Sequence, residues 1–146
     1  MNEKLKEKLR IRAASLYAKS LYGADFIGVR PLPGDFSWHI SMLEKTYRLS
    51  NHGIATWKVF DVADKESLVE KTLEVLVRRG NQRCTLLHEE GVALEFMMTD
   101  MKMFLTSLCA GVACFNICFG SPDEILVASE EEYEIELYRF VKGIAG

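Results

Sequence analysis

The sequence MFLTSLCAGVACFNICF, residues Met103 to Phe119, is the most apolar stretch of the chain and decides the predicted fold. Only Thr106, Ser107 and Asn116 within it are plainly polar. Because a surface helix needs a solvated face and this segment has none, we predict a fully buried central helix at about 101–119. At helical spacing it carries a stripe of large and a stripe of small side chains: Phe104, Leu108, Val112, Phe115 and Phe119 against Ser107, Ala110 or Gly111, Cys114 and Cys118.

The segments around this helix predict an antiparallel sheet that packs against it. From residue 36 to residue 42, large apolar side chains alternate with polar ones, as in a half-buried strand. Together with strands at Lys45–Ser50 and Ile54–Val62, this predicts a meander. Two strands joined by the tight loop Glu89-Glu90-Gly91 predict a hairpin. The hairpin strands and one further strand lie at Cys84–His88, Val92–Met98 and Glu124–Ala128.

Two further helices follow from apolar residues spaced three or four positions apart. The first runs from Leu5 to Leu21, and Gly23 ends it. Asp64 caps the second helix, which ends at Gly80. The apolar stripe of the first helix, which predicts its packed face, comprises Leu5, Leu9, Ala13, Leu16, Tyr17 and Leu21.

The C-terminal segment 129–144 fits two structures. Ser129 followed by three glutamates resembles a capping box, and the apolar residues beyond it recur at helical spacing. Residues 132–140 also alternate between apolar and polar, which is typical of a strand. We favour the helix because its periodicity extends further.

The length and the absence of repeats or linkers predict one domain over residues 1–146. The fold class is therefore α+β, with an antiparallel sheet, made of a meander and a hairpin, packed against helices around the buried central helix.

The charges are unevenly distributed along the chain. The net charge is −3, yet residues 1–22 carry six basic side chains against two acidic ones. Residues 121–146 carry seven acidic side chains against two basic ones. The simplest interpretation is that the two termini lie close together and attract each other. The alternative is that the basic end binds an acidic partner.

The four cysteines are predicted to be free thiols. Cys109, Cys114 and Cys118 fall on one predicted helix, where a bridge between neighbours would strain the side chains. Free thiols indicate a reducing compartment, and the first residues do not resemble a signal peptide. We therefore expect a cytoplasmic protein.

Several classes of function are disfavoured. No glycine-rich phosphate loop occurs, so no nucleotide cofactor is predicted. A net acidic chain lacks the basic footprint of nucleic-acid binding. The apolar segment has seventeen residues where a membrane span needs about 20.

A metal site has one weak set of candidate ligands and is not predicted. Cys84 and His88 share a strand face, and Cys114 and Cys118 share a helix face, which together would make a zinc-type ligand set. Structural zinc sites usually take their ligand pairs from tight loops, and neither pair lies in one. A Cys/His enzyme is disfavoured as well, because burial raises the pKa of a thiol and makes it a poorer nucleophile.

By elimination, the sequence favours a non-enzymatic protein-binding module of the inhibitor, immunity-protein or adaptor type. It would bind the basic surface of another protein through an acidic surface. The alternative is an apolar small-molecule-binding or sensor domain that uses the small-residue face of the helix at 101–119. A homodimer is left open. The candidate contact residues are Glu130, Glu131, Glu132, Glu134, Glu136, Glu89, Glu90, Arg30 and Trp57.

Overall fold

A computed structural model describes residues 2–31, 36–49, 56–80, 83–88, 91–120 and 123–143. Over these residues the chain forms four helices and a seven-stranded antiparallel sheet, which confirms the α+β fold class. The helices are α1 (Glu3–Lys19), α2 (Ser37–Leu49), α3 (Lys65–Arg79) and α4 (Met101–Leu108). The strands are β1 (Ala24–Pro31), β2 (Lys58–Asp61), β3 (Arg83–His88), β4 (Val92–Met98), β5 (Phe115–Phe119), β6 (Glu124–Glu130) and β7 (Glu134–Val141).

The strands are arranged in the order β1-β4-β3-β5-β6-β7-β2. The two halves of the sheet meet between β3 and β5, which share a single aligned pair, Thr85 and Cys118. Next to this pair, the Asn116 side chain takes the place of a strand backbone. Its amide oxygen accepts a hydrogen bond from the Leu87 N–H (2.7 Å), and its amide nitrogen donates one to the Leu87 carbonyl (2.8 Å).

Helices cover both faces of the sheet. The main core lies between one face and the helices α1, α3 and α4, and it includes the fully buried Leu68, Leu94 and Phe104. Helix α2 packs on the opposite face, over β5, β6 and β7, where Phe36 and Tyr138 belong to a smaller core. The sheet is therefore the middle layer of three.

The predicted central helix at 101–119 is wrong, because α4 ends at Leu108 and residues from Phe115 onward form β5. The chain reverses at Gly111, whose φ of 80° suits glycine. Strand β5 lies in the middle of the sheet with both faces covered. Such a strand is apolar without alternation, so its sequence cannot be told from a buried helix. Full burial also fails, since Cys114 is exposed.

The first two strands of the predicted meander and the favoured C-terminal helix are wrong as well. Residues 37–49 form a helix in place of the first two meander strands. Of the predicted third strand, Lys58–Asp61 form β2, and residues 54–55 lie outside the described residues. Helical spacing brings Phe36, His39 and Thr46 to the buried side of this segment. The C-terminal segment is strand β7, because it pairs with β6 on one side and β2 on the other.

Helix α1 forms where it was predicted but packs through its opposite side. Ala14 and Ala18 are buried against the sheet, whereas the leucines of the predicted stripe that lie within the helix face outward. Leu21, beyond the end of the helix, packs against the main core. Small alanines let the helix backbone approach the sheet closely. Leu5, Leu9 and Leu16 are 45%, 48% and 62% exposed.

The remaining elements agree with the sequence. The Asp64 side chain caps α3 by accepting from the Ser67 N–H (3.2 Å), and Gly80 ends the helix in the left-handed conformation. Strands β3 and β4 pair as the predicted hairpin, and β6 is the predicted further strand. Among the described residues, no helix is long and apolar enough to cross a membrane.

The basic and acidic ends of the chain are not adjacent. Helix α1 lies over β1 and β4, at one edge of the sheet, while the acidic segment forms the β6–β7 hairpin near the other edge. Four strand spacings separate β4 from β7, or about 19 Å. The charge asymmetry of the sequence therefore becomes an asymmetry between the two edges of the sheet.

Candidate protein-interaction surface

The β6–β7 hairpin projects a compact group of acidic side chains, which we call the acidic tip. The tip comprises Glu131, Glu132, Tyr133 and Glu134 of the hairpin and Asp61 at the end of β2. The Glu131 N–H donates to the Glu134 carbonyl (2.7 Å) and closes a tight turn. The Val62 N–H donates to the Tyr133 carbonyl (3.1 Å), so the end of β2 is fastened to the same turn.

Two features of the acidic tip are unfavourable in an isolated protein. Tyr133 is 76% exposed, more than any other large hydrophobic side chain of the described residues. Asp61 and Glu134 are exposed and lie directly opposite each other on neighbouring strands. Like charges in that position repel each other. A basic partner would cover the ring and neutralise the carboxylates.

Two of the predicted glutamates have structural contacts instead. The Glu130 carboxylate accepts a hydrogen bond from the Ala113 N–H (3.1 Å) and lies 3.4 Å from the Lys65 ammonium group. It therefore fixes the loop between α4 and β5. The Glu136 carboxylate accepts a hydrogen bond from the Tyr138 hydroxyl. Burial, with this hydrogen bond second, raises the pKa of Tyr138.

Among the remaining predicted contact residues, Arg30 and Trp57 are described and lie outside the acidic tip. Glu89 and Glu90 are outside the described residues. Arg30 lies in β1 opposite Ala93, with four strands between β1 and β7. Trp57 is half-buried and packs against the main core. The Lys71 ammonium and the Arg139 guanidinium lie 5.1 Å and 5.4 Å from its ring centre.

The weak zinc-type ligand set is divided between two cavities. Cys84 and Cys118 line one of about 140 Å³, between β3 and β5. His88 and Cys114 line another of about 400 Å³, where the Tyr17 ring lies 5.3 Å from the His88 ring. Among the described residues, no three His, Cys, Asp or Glu side chains are placed to hold one metal ion.

Burial makes three of the four thiols poor nucleophiles. It raises the pKa of Cys84 to about 12 and that of Cys109 to about 11, and it also raises the pKa of Cys118 well above its usual value. Cys114 is the exposed thiol. Of the four thiols, Cys114 is thus the one that burial does not withhold from reaction.

An open groove of about 680 Å³ runs along the outer side of α4. Tyr22 forms one wall, and its backbone N–H donates to the Ser107 hydroxyl (3.2 Å). Of the small-residue stripe, Ser107 and Ala110 line this groove, whereas Cys114 and Cys118 lie elsewhere. The other lining residues are Asp100, Lys102, Met103 and Thr106.

No protein family, no curated protein and no solved structure matches this chain.

The sequence located the acidic run but missed two members of the acidic tip. The helical interpretation of segment 129–144 puts Tyr133 among the apolar residues at helical spacing, and the predicted strand Ile54–Val62 contains Asp61 in its interior. Three consecutive glutamates at positions 130–132 separate the apolar run 125–128 from the alternating residues beyond it, and this is the available signal of a hairpin turn. Asp61 joins the tip only through strand pairing, which no local pattern reveals.

Proposed function

We propose that the protein is a non-enzymatic binding module, of the inhibitor, immunity-protein or adaptor type, that binds a basic surface of another protein through the acidic tip. The observation that carries the proposal is the exposed Tyr133 within a group of carboxylates. Exposed aromatic rings are frequent anchors of protein interfaces. Surrounding charges of one sign accelerate association and select a partner of the opposite sign.

The local construction of the acidic tip supports this role. The hairpin turn and the bond from Val62 fix the backbone that carries the ring and the carboxylates before binding. Pre-organisation lowers the entropy lost when two proteins associate. The four unbridged cysteines fit a reducing compartment such as the cytoplasm.

Charge reversal with a matched control tests the proposal. A Glu131→Lys/Glu132→Lys variant should lose a partner that the wild-type chain captures from lysate. The control, Glu7→Lys/Asp25→Lys, makes the same change in net charge at two exposed positions on the far side of the sheet. It should retain the partner.

The Tyr133 anchor and the ionic strength give two more readouts. Tyr133→Ala should weaken capture without changing the net charge, since truncation of an interface anchor typically costs 2 kcal/mol or more, roughly thirtyfold in affinity. Raising salt from about 0.1 M to about 0.5 M should weaken capture by the wild-type chain. Capture that withstands all three changes would refute the acidic tip as the binding surface.

The groove beside α4 supports a second candidate, a small-molecule-binding domain. Its volume of about 680 Å³ falls within the range of ligand sites. Native mass spectrometry of the purified chain should then show a bound molecule, and Ala110→Trp should remove it by filling the groove. A mass equal to that of the chain alone argues against this candidate.

A further inference from the structure

The outer side of α1 carries an apolar ridge that nothing in the described chain covers. At 100° per residue, Leu5, Leu9 and Leu16 fall within about 40° of one another, opposite the buried Ala14 and Ala18. The ridge extends about 16 Å along the helix. Apolar residues on two opposite sides are typical of a helix that lies between two layers. The fold supplies only one of those layers.

The charged positions that flank the ridge are basic, and one of them, Lys6, pairs with Glu3 (3.5 Å). Lys8, Arg12 and Lys19 flank the leucines on one side and Lys6 on the other. The two acidic residues of α1, Glu3 and Glu7, project toward the opposite half of the helix. A partner of this ridge therefore has to present both apolar and acidic groups.

The same layer of helices carries a surface of the opposite charge. On α3, Glu66, Glu70 and Glu74 recur at four-residue spacing and are exposed, and Val77 beside them is 62% exposed. Glu74 also pairs with Lys71 (3.1 Å). The outer side of α3 thus offers the acidic and apolar groups that the α1 ridge requires.

The helices are arranged so that two copies can join these surfaces. Helix α1 lies over β1 and β4, α3 lies near β2, and both α3 and the Tyr22 segment contact α4. Helix α4 is therefore between α1 and α3. A two-fold axis along α4 brings α1 of each copy against α3 of the other, so that a single patch pairs with itself.

We propose that the outer surface of α1, α4 and α3 binds a second copy of this chain, with α1 of each protomer against α3 of its partner. Three helices side by side offer on the order of 700 Å² per copy, close to the usual size of a stable interface. Contact between two α1 ridges is disfavoured because basic side chains flank the leucines of both copies and would repel each other. An anionic membrane is disfavoured because the α3 glutamates face the same side as the ridge.

The test is a charge swap followed by sedimentation velocity. Wild-type protein should show twice the 16.6 kDa mass of one chain as its concentration rises from about 1 µM to about 200 µM. Lys8→Glu/Arg12→Glu makes both surfaces acidic, and Glu70→Lys/Glu74→Lys makes both basic. Each variant alone should be at least about tenfold weaker in self-association, and an equimolar mixture should dimerise again.

Matched controls separate this surface from the rest of the molecule. Leu9→Ser should weaken the dimer, whereas Val59→Ser, at an equally exposed position on β2, should not. The acidic-tip variant Glu131→Lys/Glu132→Lys should dimerise normally, so the failure of either proposal leaves the other testable. A monomer at every concentration overturns the inference. A dimer that tolerates Leu9→Ser and both charge reversals also overturns the inference. A monomer that binds phosphatidylserine vesicles in a Leu9-dependent manner overturns it as well.

Discussion

Adjacent glutamates in this chain have different roles, which only the folded structure distinguishes. Glu130 is directed inward to Lys65 and the Ala113 N–H, whereas Glu131, one residue later, is exposed. In the sequence they are identical members of one acidic run. A charge run therefore predicts an acidic surface but not which carboxylates are free to bind a partner.

The thiols give a prediction at the scale of single residues. In native protein at about pH 8, N-ethylmaleimide should label Cys114, because it is the exposed thiol and burial raises the pKa of Cys84, Cys109 and Cys118. Unfolded protein should take up four labels. Mass spectrometry counts the labels, and labelling of Cys84 before Cys114 would contradict the assigned burial.

The same thiols make stability depend on alkaline pH. The folded-state pKa values of Cys84 and Cys109, about 12 and about 11, lie above the ordinary value of 9.0. The unfolded chain therefore loses these protons first as pH rises. The stability from each buried neutral thiol is complete below pH 9 and decreases above it, by about 1 kcal/mol at pH 10. Urea unfolding should show that Cys84→Ala reduces this decrease.

At the scale of elements, the errors share a physical cause. Apart from Asn116, strand β5 is apolar because helices cover both of its faces, so it lacks the alternation that identifies a strand. Apolar and polar residues alternate over positions 36–42, as in a strand, although most of these residues belong to helix α2. Only the contact of α2 with the second face of the sheet determines that the segment is helical. Helix α3 and the β3–β4 hairpin were predictable because their caps and turns lie in the local sequence.

Two glycines with the same backbone conformation should differ in their tolerance of alanine. Both Gly23 and Gly111 have φ near 80°. At Gly111 an added Cβ meets nothing within 4 Å, so Gly111→Ala should cost about 1–2 kcal/mol from the backbone alone. At Gly23 the Cβ would lie 2.5 Å from the Asp100 carbonyl oxygen and from the Phe104 nitrogen.

Gly23→Ala therefore has to displace the start of α4, and it should cost more than about 3 kcal/mol. Urea unfolding of the two variants measures the difference directly. Equal losses of stability would show that the β1–α4 junction is looser than the structure describes.

At the scale of the whole molecule, the sheet separates two charged surfaces. Helix α1 carries the apolar ridge and its basic flanks over one edge of the sheet. The β6–β7 hairpin carries the acidic tip near the other edge. The distribution of charges along the sequence shows a basic and an acidic end, and its simplest interpretation is that the two termini attract each other. Strand order is a non-local property, so the sequence could not indicate that four strand spacings separate the two surfaces.

If the proposed function holds, the acidic tip serves binding at the expense of stability. Converting Glu134 to lysine turns the repulsive pair with Asp61 into an attractive one, which should stabilise the fold by about 0.5–1 kcal/mol. The same change should remove a carboxylate that a basic partner needs. Stability and binding should thus respond in opposite directions.

The most direct measurement compares Glu134→Lys with wild type in thermal unfolding and in partner capture. The acidic tip predicts a higher melting temperature together with loss of the captured partner. Undiminished capture by the more stable variant would contradict the account.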